Sequence, residues 1–551
     1  MINFLLANTF ELKDKLDISM LVIIALVSSV LMVFVGYKLL QMLQLTGYKL
    51  NGYLRWFKET KYSYISRLFM LSFLSLAAML MTNVLLADFF VVPVLKFVGI
   101  LFYILFSSLF ITNLFTAKQK TPLKYTKRMT RLVVVYFILI LIFSILIEIL
   151  GFMFIPYLSY GLIGIIPIML PAFVFLAYYI TYPIEKLISN SYVKKAKKKL
   201  ESIKNIQVIG ITGSYGKTSV KNILKTLLSE KYKVCASPSS YNTPLGLAKT
   251  ILQNLNSDNE IFIAEMGAKQ RFDIKELCEM VKPKIAIITG IGNQHLLTFG
   301  SVDNIIKTKS ELAEYVSNNH GKIFVNIESD GAKKLVNNFK DAIKVSIKDN
   351  TTDLYVKDIK TTKDGSKFSL CFNNEVVECK TILLGDHNIS NILLAATVAI
   401  NLGLTLKEIQ EGIEKLVTIP HRLEIVKSSS TYTILDDAYN SSVEGSKASL
   451  DVLSKFDGKK FVITPGLVEL GTEQFNSNFE FGMDMAKVCD YVIVDSVINY
   501  DAISSGLIFG GFDEKNIIQV ANLTQAVQML NTLASSNDVV LFENDLPDNY
   551  S

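Results

Sequence analysis

Charged residues are scarce in this chain: they make up 19% of its 551 residues against 50% hydrophobic ones, and the mean hydropathy is +0.36. A composition this apolar excludes a disordered or nucleic-acid-tail protein and exceeds what an ordinary soluble enzyme carries. Cysteine is sparse as well. Cys235, Cys278, Cys371, Cys379 and Cys489 form no CxxC pair and have no histidine at metal spacing. That pattern reads as reduced, structural thiols in a cytosolic compartment rather than a cysteine-based metal or redox centre. No small-residue cleavage site follows the first apolar run, which is also too long and too late in the chain for a cleaved leader.

What is present is unevenly divided. Residues 1–200 hold 21 Lys and Arg against 7 Asp and Glu, a surplus of +14, so the formal +6 of the whole leaves −8 for residues 201–551. A basic, greasy front part is joined to a mildly acidic back part of about 350 residues, room for two domains of ordinary size. Apolar runs of about 20 residues, enough to cross a bilayer, lie at 18–40, 64–86, 91–114, 131–156 and 160–182. They predict five spans, with four or six compatible with the pattern. Cytoplasmic loops retain Lys and Arg, and such residues follow the first span (Lys49, Arg55, Lys58, Lys61), the third (Lys118, Lys120, Lys124, Lys127, Arg128) and the fifth (Lys194, Lys195, Lys197, Lys198, Lys199). The connections near 87–90 and 156–160 carry almost none. The N-terminus is therefore expected outside and the whole back part in the cytoplasm. Lys96 and Glu148 are ionisable residues inside the spans, toward the outer side, where snorkelling accounts for them and a functional role is the alternative. The cluster at 194–199 reads as a positive-inside anchor, with binding of anionic headgroups as the alternative.

After Lys199 short β-branched runs at 206–212, 260–265, 285–289 and 323–326 alternate with helical stretches, the pattern of a parallel α/β sheet. Ligands of such sheets sit at the carboxyl ends of the strands. The first strand runs directly into Thr212-Gly213-Ser214-Tyr215-Gly216-Lys217-Thr218-Ser219, followed by a helix predicted over 220–230. Glycines let backbone N–H groups curl around a phosphate, Lys217 supplies a point charge, and the Thr218 hydroxyl can reach a Mg²⁺. Strand, loop and helix in this order predict nucleotide binding, although only two residues separate the glycines where the usual loop has four.

The shortened loop resembles that of the Mur ligase superfamily, the ATP-dependent amide ligases of cell-wall peptide synthesis. Further segments follow in the family's order. Ala264-Glu265-Met266-Gly267 is similar to the acidic Mg²⁺ position in its MurF form. Asn293-Gln294-His295 resembles Asn-x-x-His with one residue fewer, and Thr308-Lys309-Ser310-Glu311 resembles the site whose lysine is carbamylated in many members. Gly385-Asp386-His387-Asn388-Ile389-Ser390-Asn391 is similar to Gly-x-His-Asn-x-x-Asn. His421-Arg422-Leu423-Glu424 and Asp436-Asp437-Ala438-Tyr439-Asn440 resemble the opening of a MurF C-terminal domain. The Asn242-Thr243 loop and Gly466-Leu467-Val468-Glu469-Leu470-Gly471 also look like family segments.

The resemblance covers about residues 200–551. The apolar runs imply an all-α transmembrane bundle at 1–190, and the resemblance implies α/β after it: a central P-loop ATPase domain at 200–419 and a Rossmann-like C-terminal domain at 420–551. By the same resemblance, ATP is held by Gly213, Ser214, Tyr215, Gly216, Lys217, Thr218, Ser219, Asn388, Asn391, Arg422 and Asp437, with Mg²⁺ on Thr218, Glu265 and His295. Catalysis would rest on Lys217, Glu265, His295, Lys309 as a carbamate, and Arg422. The family's route activates a carboxylate as an acyl phosphate, and an amine then displaces phosphate. Phosphoryl transfer is mostly positioning and charge neutralisation, so cations and metal ligands are the parts expected. Lys309 as an unmodified surface lysine, and Glu265 as a helix-cap partner, are the plainer readings. His421 and Asp436 read as structural, His320 as a surface histidine, and Glu469 as a weak acceptor-site candidate.

Two departures stand out. Ser441-Ser442-Val443 replaces the usual Ala-Asn-Pro, and the small uridine-binding domain that opens MurF-type chains is replaced by the membrane part. The expected reaction is therefore amide formation between a carboxylate on a cell-envelope precursor, carried by a lipid at the cytoplasmic face, and an amino acid or short peptide, with no nucleic acid involved. A tethered ligase of the ordinary soluble UDP-sugar-tripeptide and D-Ala-D-Ala is one alternative. A transporter or sensor that borrows the ATP-binding domain is another, against which stands the absence of an ABC-type Leu-Ser-Gly-Gly-Gln signature.

Overall fold

The structure is a computed structural model that describes residues 20–544 apart from 61, 83–95, 117–120, 155–160, 239, 295, 427–430 and 440–441. The chain divides into two compact units between Ile188 and Ser189.

The first unit is helical. Ser63–Leu80, Val98–Thr116, Lys127–Gly151 and Leu162–Ser202 are long and apolar enough to cross a membrane, and the pair Met20–Val35 and Tyr37–Leu45, bent by 43°, makes a fifth if it counts as one span. They fall where the apolar runs predict. Lys61, Lys118, Lys120 and the connections at 87–90 and 156–160 lie outside the described residues, as does the side chain of Lys96. Glu148 corrects the sequence reading. It belongs to the stripe Tyr136, Ile140, Ser144, Glu148, all fully buried, because a four-residue spacing on a helix repeats on one face. That face points into the bundle, so the carboxylate does not snorkel.

The second unit holds three sheets. Strands β1 (Gln207–Thr212), β2 (Val234–Ala236), β3 (Ile261–Glu265), β4 (Ile285–Ile288), β5 (Lys322–Asn326) and β6 (Ile343–Val345) form one sheet in the order β2-β3-β1-β4-β5-β6, parallel throughout. Their residues read as continuous apolar runs because helices cover both faces. One face packs on Leu247, Ile251, Ile274, Leu277 and Leu312, the other on Ile223, Leu227, Ile389, Ile392 and Leu393. Strand order reverses about β1, between β3 and β4, which opens a crevice at their carboxyl ends.

A three-stranded antiparallel sheet follows: β7 (Leu354–Thr362), β8 (Gly365–Phe372) and β9 (Glu375–Thr381). The sequence reading does not anticipate it. Outward positions filled with Lys, Asp and Thr leave too little apolar signal; Leu354, Val356, Phe368, Leu370 and Cys379 are buried in the core, with Ile359, Phe372 and Val377 packed against it. The last sheet joins β10 (Glu424–Val426), β11 (Thr433–Asp437), β12 (Lys460–Thr464), β13 (Tyr491–Val494), β14 (Ile517–Gln519) and β15 (Val539–Glu543) in the order β10-β11-β15-β12-β13-β14. Only the edge strand β10 runs antiparallel. All five cysteines are free and buried.

Candidate active site

Strand β1 ends at Thr212, and the helix Lys217–Leu228 starts directly after Gly216. It starts three residues ahead of the predicted position because Gly216, at φ +79°, already turns the chain as its N-cap. Lys217 and Thr218 thus stand in the first helical turn, whose N–H groups have no intrahelical acceptors. Gly213 has no room for a side chain: a Cβ there would lie 1.9 Å from Thr289 Oγ1. The loop is braced against the end of β4, with Ser214 N–H donating to Gly290 O (2.7 Å) and Ser214 Oγ to Gly292 O (3.1 Å).

The Lys217 ammonium donates to the carbonyls of Gly213 (2.7 Å) and Ser214 (2.6 Å). Burial depresses its pKa to about 8, the Glu265 charge opposing this and Arg422 adding to it. A cation from the C-terminal sheet region is therefore felt at the loop. Two positive groups converge where the phosphates of a nucleotide would lie.

Glu265, at the end of β3, sits beside β1, with Ile211 as its register partner. Its carboxylate accepts from Thr218 Oγ1 (3.0 Å) and Asn242 Nδ2 (3.2 Å) and pairs with Lys221 Nζ (3.0 Å). The helix-cap reading of Glu265 does not describe these contacts. Lys221 is a residue the sequence reading missed. Its side chain and that of Glu265 are each 1% exposed, and its one signal was position: it lies one helical turn beyond Lys217, on the same face. Asn242, from the loop that looks like a family segment, shares the Glu265 carboxylate. Hydroxyl and carboxylate are the hard oxygen donors that Mg²⁺ takes, so Thr218 and Glu265 fit that ion.

Lys309 lies on the helix Val302–Asn318, started by its N-cap Ser301, and is 3% exposed. That rules out the surface-lysine reading. Burial and the nearby Lys217 charge lower its pKa to about 7, with Asp273 and Glu311 opposing. No ion pair to it forms among the described residues. Its neighbour Glu311 turns away, accepting from the N–H groups of Phe272 (2.8 Å) and Lys275 (3.0 Å). An amine neutral near pH 7 can add to CO₂, so Lys309 is chemically suited to carbamate formation.

Asn388 and Asn391 are buried on the helix Asp386–Asn401. Asn391 Oδ1 would touch a Cβ on Gly216 at 2.9 Å, so this residue flanks the phosphate loop. Asn388 instead donates to Leu384 O (2.8 Å), and the intervening Ser390 accepts from Asn326 (2.8 Å). Tyr215 lies over Gly290, and burial raises its hydroxyl to about 12. Arg422 stacks 4.5 Å over the ring of Tyr439, whose hydroxyl bonds Ser240 Oγ (2.8 Å) beside the phosphate-loop sheet. His421 (φ +60°) and Leu423 (φ +49°) hold Arg422 between two left-handed residues, a strained arrangement typical of positioned side chains. His421 Nδ1 bonds Asp436 (2.7 Å). Asp437 accepts from Leu423 N–H (3.1 Å) and Ser449 Oγ (2.6 Å), so it braces this turn. Glu469 has φ +64°, and its carbonyl accepts from Leu297 N–H (3.1 Å). His320 is exposed. His295, Asn440 and Ser441 lie outside the described residues.

Two family models match this chain: the Mur ligase middle domain over residues 211–399 and the Mur ligase glutamate ligase domain over 421–543. The chain belongs to the Mur ligase superfamily, MurF type. Among relatives of that type, the UDP-N-acetylmuramoyl-tripeptide–D-alanyl-D-alanine ligase of Buchnera aphidicola is 34% identical over 269 residues, 48% of this chain and 58% of that protein. The Bacillus subtilis ligase of the same name is 26% identical over 348 residues, 61% of this chain and 72% of that one. The match thus spans a little over half the length of the first of these relatives. MurF of Acinetobacter baumannii shares the fold, with a TM-score of 0.58 at 23% identity over 65% of this chain and 77% of that one. A MurF ligase of Thermotoga maritima in complex with ADP gives a TM-score of 0.56 at 26% identity over 65% and 80%.

Proposed function

We propose that this protein is an ATP- and Mg²⁺-dependent amide ligase, anchored in the cell membrane with its N-terminus outside and its catalytic part in the cytoplasm. It joins a carboxylate on a cell-envelope precursor to an amino acid or short peptide. The observation that carries this reading is the convergence of Lys217, Thr218, Glu265, Lys309 and Arg422, from both α/β sheet regions, around one phosphate loop. A nucleotide-binding module alone has no use for the buried, near-neutral Lys309, which counts against the transporter or sensor reading.

In this assignment residues 1–190 are the membrane domain, 200–419 bind ATP and 420–551 close over it. The loop amides, Lys217 and Arg422 neutralise the phosphates, and Asn391 orients the nucleotide. Thr218 and Glu265, joined by His295 on the family resemblance, would hold Mg²⁺, which would supply positive charge to screen the phosphates. Lys309, once carbamylated, turns a cation into an anion and gains metal-ligating oxygens. The carboxylate donor is presented on a lipid carrier, because apolar helices stand where relatives of this type bind a soluble nucleotide-sugar. The named relatives favour a second reading, a tethered ligase of UDP-MurNAc-tripeptide and D-Ala-D-Ala.

Membranes containing the protein, incubated with ATP, Mg²⁺ and labelled amino acids or dipeptides, distinguish these readings. Label in the lipid fraction supports the first, and efficient turnover of the soluble UDP-linked donor alone overturns it. ATP hydrolysis that ignores both donor and acceptor would refute a ligase altogether.

A further inference from the structure

We propose that the helical unit carries a binding groove for a polyprenyl phosphate, the lipid end of the donor; this rests on the reading of a lipid-linked donor above. A cavity of about 440 Å³ lies between the helices Ser63–Leu80 and Lys96–Thr116, within the usual range for a small-molecule pocket, about 300–1,000 Å³. Its walls are two stripes at helical spacing: Arg67, Met70 and Leu74 on the first helix, Phe106, Leu109 and Asn113 on the second. Seven residues separate the ends of each stripe, so the groove runs about 10 Å along the helices.

The lining is sorted by polarity. Arg67 and Asn113 occupy one end, and the rest is apolar. Among the described residues the Arg67 guanidinium makes no hydrogen bond or ion pair, nor does the Asn113 amide donate or accept. Arg67 lies near the start of its helix, beyond the basic segment of residues 49–61, and Asn113 near the end of its own, before the basic residues 118–128. Both therefore stand at the end that the charge pattern assigns to the cytoplasm. An unpaired guanidinium above an apolar channel complements an anionic headgroup on an apolar tail. One channel with one cation suits a single-chain lipid phosphate better than a two-chain phospholipid.

The test uses the full-length protein in phosphatidylcholine nanodiscs with a photoreactive polyprenyl phosphate. Crosslinks should map to residues 67–74 and 106–114. Arg67→Gln should weaken polyprenyl phosphate binding about tenfold, the scale of a lost charge-assisted contact, and leave the uncharged polyprenol unaffected. Leu109→Trp, which fills the channel, should weaken both. Fluorescent-nucleotide binding should stay at the wild-type level in both variants, reporting an intact fold. Unchanged lipid affinity in both variants, or equal displacement of the probe by phosphatidylglycerol, overturns the groove. If amino-acid label enters the lipid fraction with an unaltered KM in both variants, the groove falls and the lipid-linked donor stands. If the probe binds as expected but only soluble products are labelled, the donor reading falls and the site stands.

Discussion

Replacing Lys221 by methionine is the sharpest perturbation of this site, because the substitution keeps the length of the side chain and removes only its charge. In the structure Lys221 Nζ lies 3.0 Å from Glu265 Oε2, with both side chains 1% exposed. Breaking such a pair leaves a buried carboxylate without its cation, which costs about 3–5 kcal/mol. If Glu265 is also the Mg²⁺ ligand, the metal replaces the missing charge, and the deficit shrinks when Mg²⁺ and nucleotide are bound. Mg²⁺-nucleotide at a hundredfold excess over its Kd stabilises a wild-type protein by about 2.7 kcal/mol. The variant should gain more than that, since repulsion from the Lys221 ammonium is gone. An extra 1.4 kcal/mol corresponds to roughly tenfold tighter Mg²⁺ binding. The one tryptophan, Trp56, lies in the helical unit, so its fluorescence does not report on this site. Hydrogen exchange of the β1 and β3 amides, with and without Mg²⁺-nucleotide, does. A deficit that is equal in both conditions would show that Glu265 does not bind the metal, and no deficit at all would refute the buried pair.

Three further outcomes are expected. Lys309 titrates near 7 in the fold and near 10.5 unfolded, so between those values the unfolded chain binds the extra proton. Stability therefore rises with pH from about 7 upward, Lys309→Met removes the part of that rise that begins near 7 and leaves the part that Lys217 contributes above about 8, as denaturant titrations would read, and ¹³C-bicarbonate gives a carbamate resonance only in the wild type. Tyr439→Ala removes the surface under Arg422 and should raise the KM for ATP several-fold, in keeping with a cation–π contact of about 0.5–2 kcal/mol. Tyr439→Phe, which keeps the ring, should change it little, and equal effects of the two would deny the stacking a role. Burial raises the Glu444 carboxyl above its usual range, and a Cβ on Gly292 would lie 2.2 Å from its Oε1. The native state thus holds a proton that the unfolded chain has released, and stability falls as pH climbs through that window. Glu444→Gln removes the penalty, so the variant should melt higher than the wild type at pH 8 and equally at pH 4, by calorimetry.

Much of this protein was legible because its signals are local. The phosphate loop is eight consecutive residues, Thr212 to Ser219, and a strand feeding glycines feeding a helix has few uses. The apolar runs announce the long helices of the first unit because each is a continuous stretch of about 20 apolar residues, and the stripe Tyr136, Ile140, Ser144, Glu148 could have been read from spacing. The antiparallel sheet β7–β9 was missed because only one of its faces is apolar. What the sequence could not determine is which distant side chains meet. Lys221 finds Glu265 across 44 positions because β3 lies beside β1 in the sheet, and no local pattern states that order. Lys309 is charged by composition and near-neutral only because its helix is pressed against the core of that sheet. Arg422 is an ordinary arginine in sequence, and becomes a partner of the phosphate loop through a left-handed turn and the ring of Tyr439. Residue types and short spacings determined which chemistry is available. Strand order, burial and the approach of the C-terminal sheet region decided which charges share a site, because electrostatic energy depends on distance and solvent exclusion, and only the folded chain sets those.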